Sequence, residues 1–110
     1  MSNQMSKHTP GPWFVTGNMT LYVDARIGGG LLQEVAAVGP TEADSGYGPQ
    51  QRANADLIAA APDLLEALGY CQSWFAKHAP TAPLIGGFGE AEHPMLTCIN
   101  AAIAKARGEA

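Results

Sequence analysis

The sequence predicts an α+β fold, a two-layer sandwich in which two to three α-helices cover a three-stranded antiparallel meander. Two observations carry this prediction. Residues 13–16 and 19–25 alternate in side-chain direction on either side of a turn signal, which is the period of half-buried strands, and residues 31–38 offer a third strand between glycine-rich segments. Residues 50–107 instead carry apolar side chains at three- and four-residue intervals, which is the period of amphipathic helices.

Length and charge narrow the class of protein. The 110 residues predict a single α+β domain over residues 9–110, preceded by polar residues 1–8 that we expect to be disordered. The sequence contains ten acidic residues and six scattered basic residues, so its net charge is −4. This charge argues against binding a nucleic-acid polymer. The sequence has neither an apolar run of the about 20 residues that span a membrane nor a signal peptide, so we expect a cytoplasmic protein.

The first strand follows two prolines. Pro10 and Pro12 restrict the residues before them to extended geometry, so the chain reaches Trp13 straightened for a strand over residues 13–16. Alternation places Trp13 and Val15 on one face of that strand and Phe14 and Thr16 on the other.

Turn residues separate the next two strands. Gly17 and Asn18 tolerate positive φ and predict a two-residue hairpin turn. We expect a return strand over 19–25, with Met19, Leu21 and Val23 inward, and a third strand over 31–38 after a glycine link. Residues 41–49 have loop composition.

An alanine-rich helix follows, and Pro62 interrupts it. Pro62 predicts that the helix either kinks or ends and restarts, since proline lacks the backbone N–H that the helix needs. The expected inward stripe of the first segment is Ala53, Leu57, Ile58 and Ala61. The expected inward face of the second is Leu64, Leu65, Leu68, Cys71 and Phe75, with Glu66, Gln72 and Lys77 opposite.

A connection over residues 79–89 precedes a last helix. Pro94 can open this helix, and Gly108 is a typical stop. Its apolar residues recur at helical spacing: Met95, Leu96, Ile99, Ala102, Ile103 and Ala106.

No pattern predicts catalysis, a metal or a cofactor. The sequence has no nucleophile elbow and no P-loop. Its paired carboxylates, Asp63 with Glu66 and Glu90 with Glu92, fit a helix start and a solvated loop. Cys71 and Cys98 lack the close ligand pairs of structural zinc and are interpreted as reduced, partly buried thiols.

Five residues are the candidates for binding a ligand: Arg26, Tyr47, Arg52, Trp74 and Phe88. In the loop over residues 86–89, backbone amides can approach phosphates and Phe88 can stack on a base. The alternative is that the loop is only a flexible connection and that the ring of Phe88 packs on a neighbouring residue. Trp74 lies four residues after Tyr70 and outside the leucine stripe. This pair is either the rim of the core or an aromatic patch for a partner or a second copy of the chain.

Two segments resemble a widespread group of small proteins encoded by tailed phages and prophages, including relatives of lambdoid early-region proteins. They are TPGPW at residues 9–13 and NADLIAAAPDLLEAL at residues 54–68. The resemblance covers residues 8–69 and brings no catalytic residues. It implies an accessory phage protein that acts by binding. We expect Trp13 to pack on the helical elbow at residues 57–65, with ligand recognition as the alternative.

Three functions follow as hypotheses. The first is a homo-oligomeric binder that sequesters a small signalling nucleotide of a defence pathway in the host cytoplasm. The second is a protein-interaction module that inhibits a host defence enzyme or nuclease complex. The third is a small nucleotide hydrolase, for which the sequence offers no nucleophile or metal ligands.

Overall fold

A computed structural model describes residues 8–18, 20–41, 48–84 and 86–109. The chain divides into two compact units, residues 1–64 and residues 65–110, and each is described by itself. The α+β fold with its three-stranded antiparallel meander is confirmed. The grouping of residues 9–110 into a single domain stays a prediction.

The N-terminal unit contains the meander. Its strands are β1 (Trp13–Thr16), β2 (Leu21–Arg26) and β3 (Leu32–Val38), in the order β1-β2-β3. Each neighbouring pair is antiparallel, and the register of β2 on β3 shifts between Val23 and Asp24. The glycine link is a short 3-10 turn, closed by the N–H of Ile27 donating to the carbonyl of Leu31 at 2.9 Å.

The turn between β1 and β2 depends on glycine, as predicted, but it is longer than two residues. Gly17 has a φ of 89°, and a Cβ added there would lie 2.1 Å from the carbonyl oxygen of Thr20. Thr16 pairs with Tyr22, which leaves more chain to turn than Gly17 and Asn18 alone. Met19 lies outside the described residues.

Helix α1 (Pro49–Ala59) packs against the three strands, and the core of the unit lies between them. The buried cluster is Leu21, Val23, Val38 and Ala55. Trp13 and Val15 both pack against this cluster, which agrees with the prediction that they share one face of β1.

The predicted inward stripe of α1 is wrong at three of its four positions. Ala53, Leu57 and Ala61 are exposed, and only Ile58 packs against the core cluster. Gln51 and Ala55 are the fully buried residues of the helix. The side-chain Nε2 of Gln51 donates to the carbonyl oxygen of Val38 at 2.7 Å. A polar side chain therefore occupies a core position, which rotates the buried face away from the one that apolar spacing predicts.

The helix ends and restarts before Pro62. Helix α1 ends at Ala59, Ala60 lies between the helices, and α2 (Ala61–His78) contains Pro62 in its first turn. The end of α1 and the start of α2 therefore agree with one of the two predicted outcomes, a helix that ends and restarts at Pro62.

The two segments that carry the resemblance meet at Gly11 and Pro62. A Cβ added to Gly11 would lie 2.8 Å from the Cβ of Pro62, closer than real Cβ atoms approach another atom. The indole Nε1 of Trp13 donates to the carbonyl of Thr9 at 3.0 Å, which folds the entry segment back on itself. The peptide bond between Gly11 and Pro12 is cis. The contact at the elbow is thus made by the backbone of Gly11, while Trp13 packs on the core cluster.

The C-terminal unit contains the rest of α2, a small hairpin and a last helix. The hairpin strands β4 (Thr81–Pro83) and β5 (Glu90–Glu92) are antiparallel and lie partly where only a connection was predicted. Three-residue strands are too short to show a period of two in the sequence. Their pairing is supported by a hydrogen bond from the hydroxyl of Thr81 to the carboxylate of Glu90.

Helix α3 (Pro94–Ala106) begins and ends as predicted. The ring nitrogen Nδ1 of His93 accepts from the N–H of Met95 at 3.0 Å, which caps the start. At the end, the N–H of Glu109 donates to the carbonyl of Ala104 at 2.8 Å, the hydrogen-bond pattern of a Schellman motif. Its buried side chains are Leu96, Ile99 and Ile103.

The predicted faces of α2 are wrong at three positions. Leu65, Leu68 and Phe75 are half-buried, but Leu64 and Cys71 are exposed. Gln72, predicted on the opposite side, is half-buried because its Nε2 donates to the Oδ1 of Asn100 on α3 at 2.7 Å.

Among the described residues, no helix combines the length and the apolar character that crossing a membrane requires.

Substituting Gly11 by alanine tests the contact at the elbow. We expect Gly11→Ala to lower the free energy of unfolding by about 1–3 kcal/mol, because the new methyl group would overlap the ring of Pro62. Thermal unfolding followed by circular dichroism measures the effect. Gly39→Ala is the control, since nothing lies within 4 Å of a Cβ there. Equal melting temperatures of Gly11→Ala and the unmodified chain would contradict the contact.

Substituting Gln51 by alanine tests the buried amide. We expect Gln51→Ala to cost about 2 kcal/mol or more, because the carbonyl of Val38 loses its donor and a cavity opens. Urea unfolding measures the loss. Asn54→Ala, at an exposed position of the same helix, should change stability little. An equally small effect of both substitutions would show that the amide contributes nothing.

Candidate functional site

Four of the five predicted binding residues lie in the described part of the chain. Arg26 ends β2, Arg52 lies on α1, Trp74 lies on α2, and Phe88 lies on the turn between β4 and β5. Tyr47 lies outside the described residues. The two arginines belong to the N-terminal unit and the two aromatic residues to the C-terminal unit. Each pair is therefore considered within its own unit.

Each arginine contacts a different neighbour. The guanidinium carbon of Arg26 lies 5.6 Å from the centre of the Phe14 ring on the adjacent strand, a cation–π distance. The Nε of Arg52 lies 3.1 Å from the Oδ1 of Asp56, one helical turn away. Both arginines are exposed, and an exposed pair of this spacing contributes only about 0.3–0.5 kcal/mol. An anionic ligand would have to compete with Asp56 for Arg52, but at little energetic cost.

Trp74 lies on an exposed side of α2. Its ring centre is 5.1 Å from that of Phe75 and 5.0 Å from that of His78. Its side chain remains 54% exposed, and Tyr70, one turn earlier, is 71% exposed. These two aromatic residues form an outward aromatic pair, so the interpretation as a surface patch fits better than the interpretation as a buried rim.

Phe88 projects from the hairpin turn. The N–H of Leu84 donates to the carbonyl of Gly89 at 3.1 Å, and the N–H of Gly87 donates to the carbonyl of Leu84 at 3.1 Å. These bonds join Leu84 to the two glycines that flank Phe88. Phe88 is nevertheless 86% exposed, which is the largest value among the exposed large hydrophobic side chains of the described residues. The interpretation that its ring packs on a neighbour is therefore wrong.

The two carboxylates of β5 were interpreted as belonging to a solvated loop, but they have hydrogen-bond partners. The hydroxyl of Thr97 donates to Oε1 of Glu92 at 2.7 Å, and Nδ2 of Asn100 approaches Oε2 at 3.4 Å. Gln72 extends this network from α2 through Asn100. The three-residue spacing of Thr97 and Asn100 was the available signal, since it places both on one face of α3. The network joins β5 to both helices of the unit.

In the described residues, the histidine and cysteine side chains do not come together in a metal-binding cluster. The ring centre of His93 lies 4.9 Å from that of Phe75. Cys71 and Cys98 are free and exposed, so their predicted partial burial is wrong. Cys71 lies beside the half-buried stripe of α2, and Cys98 lies beside the buried stripe of α3. In the part of the chain that the structure describes, no three His, Cys, Asp or Glu side chains form a group that could hold a metal ion.

Comparisons with known proteins give one match. The model of a protein family described as Salmonella phage P22 protein Y8K6 matches residues 1–110, which is the whole chain. A search of the curated proteins and a search of the solved structures found no match.

Proposed function

We propose that this chain, which belongs to the family of Salmonella phage P22 protein Y8K6, is a non-enzymatic accessory protein that binds a host protein. The observation that carries the proposal is the exposure of Phe88 at the tip of the β4–β5 hairpin. The proposed site of action is the cytoplasm of the infected cell, and the proposed outcome is inhibition of a host defence enzyme or nuclease complex.

The shape of the tip favours a protein partner over a small ligand. Sites for small molecules are concave and bury most of the ligand surface. Phe88 instead projects outward on a turn whose backbone is already hydrogen-bonded. An aromatic side chain that projects from a hydrogen-bonded backbone can serve as an interface anchor, which inserts into an apolar pocket of a partner.

The surroundings of the tip indicate the chemistry of the partner. Leu84, at the base of the turn, is also exposed and extends the apolar surface. Glu90 follows directly on β5 and is exposed, and the chain as a whole carries a net charge of −4. An apolar pocket with a basic rim would complement both features, because opposite charge at the rim accelerates association.

Substituting Phe88 by serine tests the anchor. We expect Phe88→Ser to weaken capture of the host protein at least tenfold, because burial of a phenylalanine side chain contributes about 1.5–3 kcal/mol. The measurement is affinity capture from host lysate, quantified by mass spectrometry for each retained protein.

Leu31→Ser is the matched control, since Leu31 is an exposed apolar residue on a different hairpin turn. A partner retained by the unmodified chain and by Leu31→Ser, but lost from Phe88→Ser, supports the proposal. Glu90→Lys should also reduce capture of the partner, and this reduction should be larger at low salt than at high salt. Equal retention by all variants, or no retained protein, would refute the role of the tip.

Sequestration of a small signalling nucleotide is the second candidate function. Its support comes from each unit separately. In the C-terminal unit, a ring as exposed as that of Phe88 can stack on a nucleobase. In the N-terminal unit, the guanidinium groups of Arg26 and Arg52 are exposed.

A thermal-shift screen with cyclic di- and trinucleotides tests this candidate. A ligand at 100 times its dissociation constant stabilises the folded chain by about 2.7 kcal/mol, which raises the melting temperature of a domain of this size by several degrees. Arg52→Ala should reduce the shift, whereas Leu31→Ser should retain it. A melting temperature that no nucleotide changes would eliminate sequestration and leave the protein-binding proposal standing.

A further inference from the structure

Helix α2 presents two different faces within the C-terminal unit. The half-buried face carries Leu65, Leu68, Gln72 and Phe75. With 3.6 residues per turn, the opposite face runs through positions 66, 67, 70, 73, 74 and 77. All six of these residues are exposed: Glu66, Ala67, Tyr70, Ser73, Trp74 and Lys77. We call this set the outward face of α2.

Aromatic side chains occupy the middle of the outward face. Tyr70 and Trp74 lie one turn apart and expose more than half of their surface. Trp74 is held by its neighbours, since its ring contacts those of Phe75 and His78. A tryptophan already held in place loses little freedom on binding, so the outward face is suited to bury a complementary surface.

Opposite charges lie at the two ends of the outward face. Glu66 lies one turn before Tyr70, and Lys77 lies about one turn after Trp74. Ala67 and Ser73 leave room beside the aromatic rings because their side chains are small. The face is therefore acidic at one end, aromatic in the middle and basic at the other end.

This distribution is self-complementary for one arrangement of two chains. When two α2 helices pack antiparallel, with Tyr70 of each opposite Trp74 of the other, Glu66 of each lies beside Lys77 of the other. A two-fold axis repeats every such contact, so one patch forms two aromatic contacts and two ion pairs. A parallel arrangement would instead place Glu66 against Glu66 and Lys77 against Lys77.

We propose that the outward face of α2 binds the same face of a second copy of this chain in an antiparallel, two-fold contact. Three turns of one helix bury less than the about 1,200 Å² of a stable complex. The dimer therefore forms reversibly with concentration. This proposal goes beyond the binding of a host protein and does not use Phe88, so the two proposals fail independently.

Analytical ultracentrifugation of the full chain over a concentration series tests the dimer. We expect the average mass to rise with concentration from the chain mass of 11.5 kDa towards twice that value. Tyr70→Ser should raise the dissociation constant at least tenfold. Leu57→Ser is the control, since it removes a 64% exposed apolar side chain from α1 and should leave the dissociation constant unchanged.

Exchange of the charges tests the antiparallel arrangement. Glu66→Lys alone and Lys77→Glu alone should each weaken the dimer, because each creates two like-charge contacts. The double variant restores two opposite-charge contacts and should recover most of the affinity. Circular dichroism confirms that every variant keeps its helix content.

Three outcomes would overturn the proposal. The first is a monomer at every concentration, and the second is a dimer that Tyr70→Ser leaves intact. The third is a dimer that the double charge variant fails to recover after both single variants have weakened it. Phe88→Ser should dimerise like the unmodified chain, which separates this contact from the proposed host contact.

Discussion

The close approach of Gly11 to Pro62 is the constraint on which the N-terminal unit depends. Pro62 lies just after the break between α1 and α2, and Gly11 lies just before the first strand. Their contact joins the entry of the sheet to the elbow of the helices. Trp13 then enters the core on the correct face of β1, against the cluster formed with Ala55 of α1. The segments at residues 9–13 and 54–68 therefore act as one structural feature.

Much of the fold could be predicted because its signals are local. Alternation and glycine turns located the three strands of the meander, and Pro62 and Pro94 located two helix starts. The burial of Gln51 could not be predicted, because its cause is a carbonyl on β3 that is distant in sequence. The hairpin of β4 and β5 was missed for a related reason. Its strands are short, and a side-chain hydrogen bond across the pair supports them.

The candidate site was predictable only in part. Exposure of Trp74 and Phe88 follows from their positions, one outside the leucine stripe of α2 and one within a glycine-rich turn. The interactions of Arg26 and Arg52 follow from neighbours on an adjacent strand and one helical turn away. Of these, only the spacing of Arg52 and Asp56 was visible in the sequence. The hydrogen-bond partners of Glu92 could not be predicted, because the network joins residues of β5, α3 and α2 that only the fold brings together.

The amide of Gln51 makes the alignment of α1 on the sheet directional. Contacts between alanine methyl groups and strand residues are short-range and non-directional, so an alanine-rich helix could slide along the sheet at small cost. A hydrogen bond to the carbonyl of Val38 forms in only one of those positions. One polar side chain in the core thus specifies a unique register where shape alone would permit several.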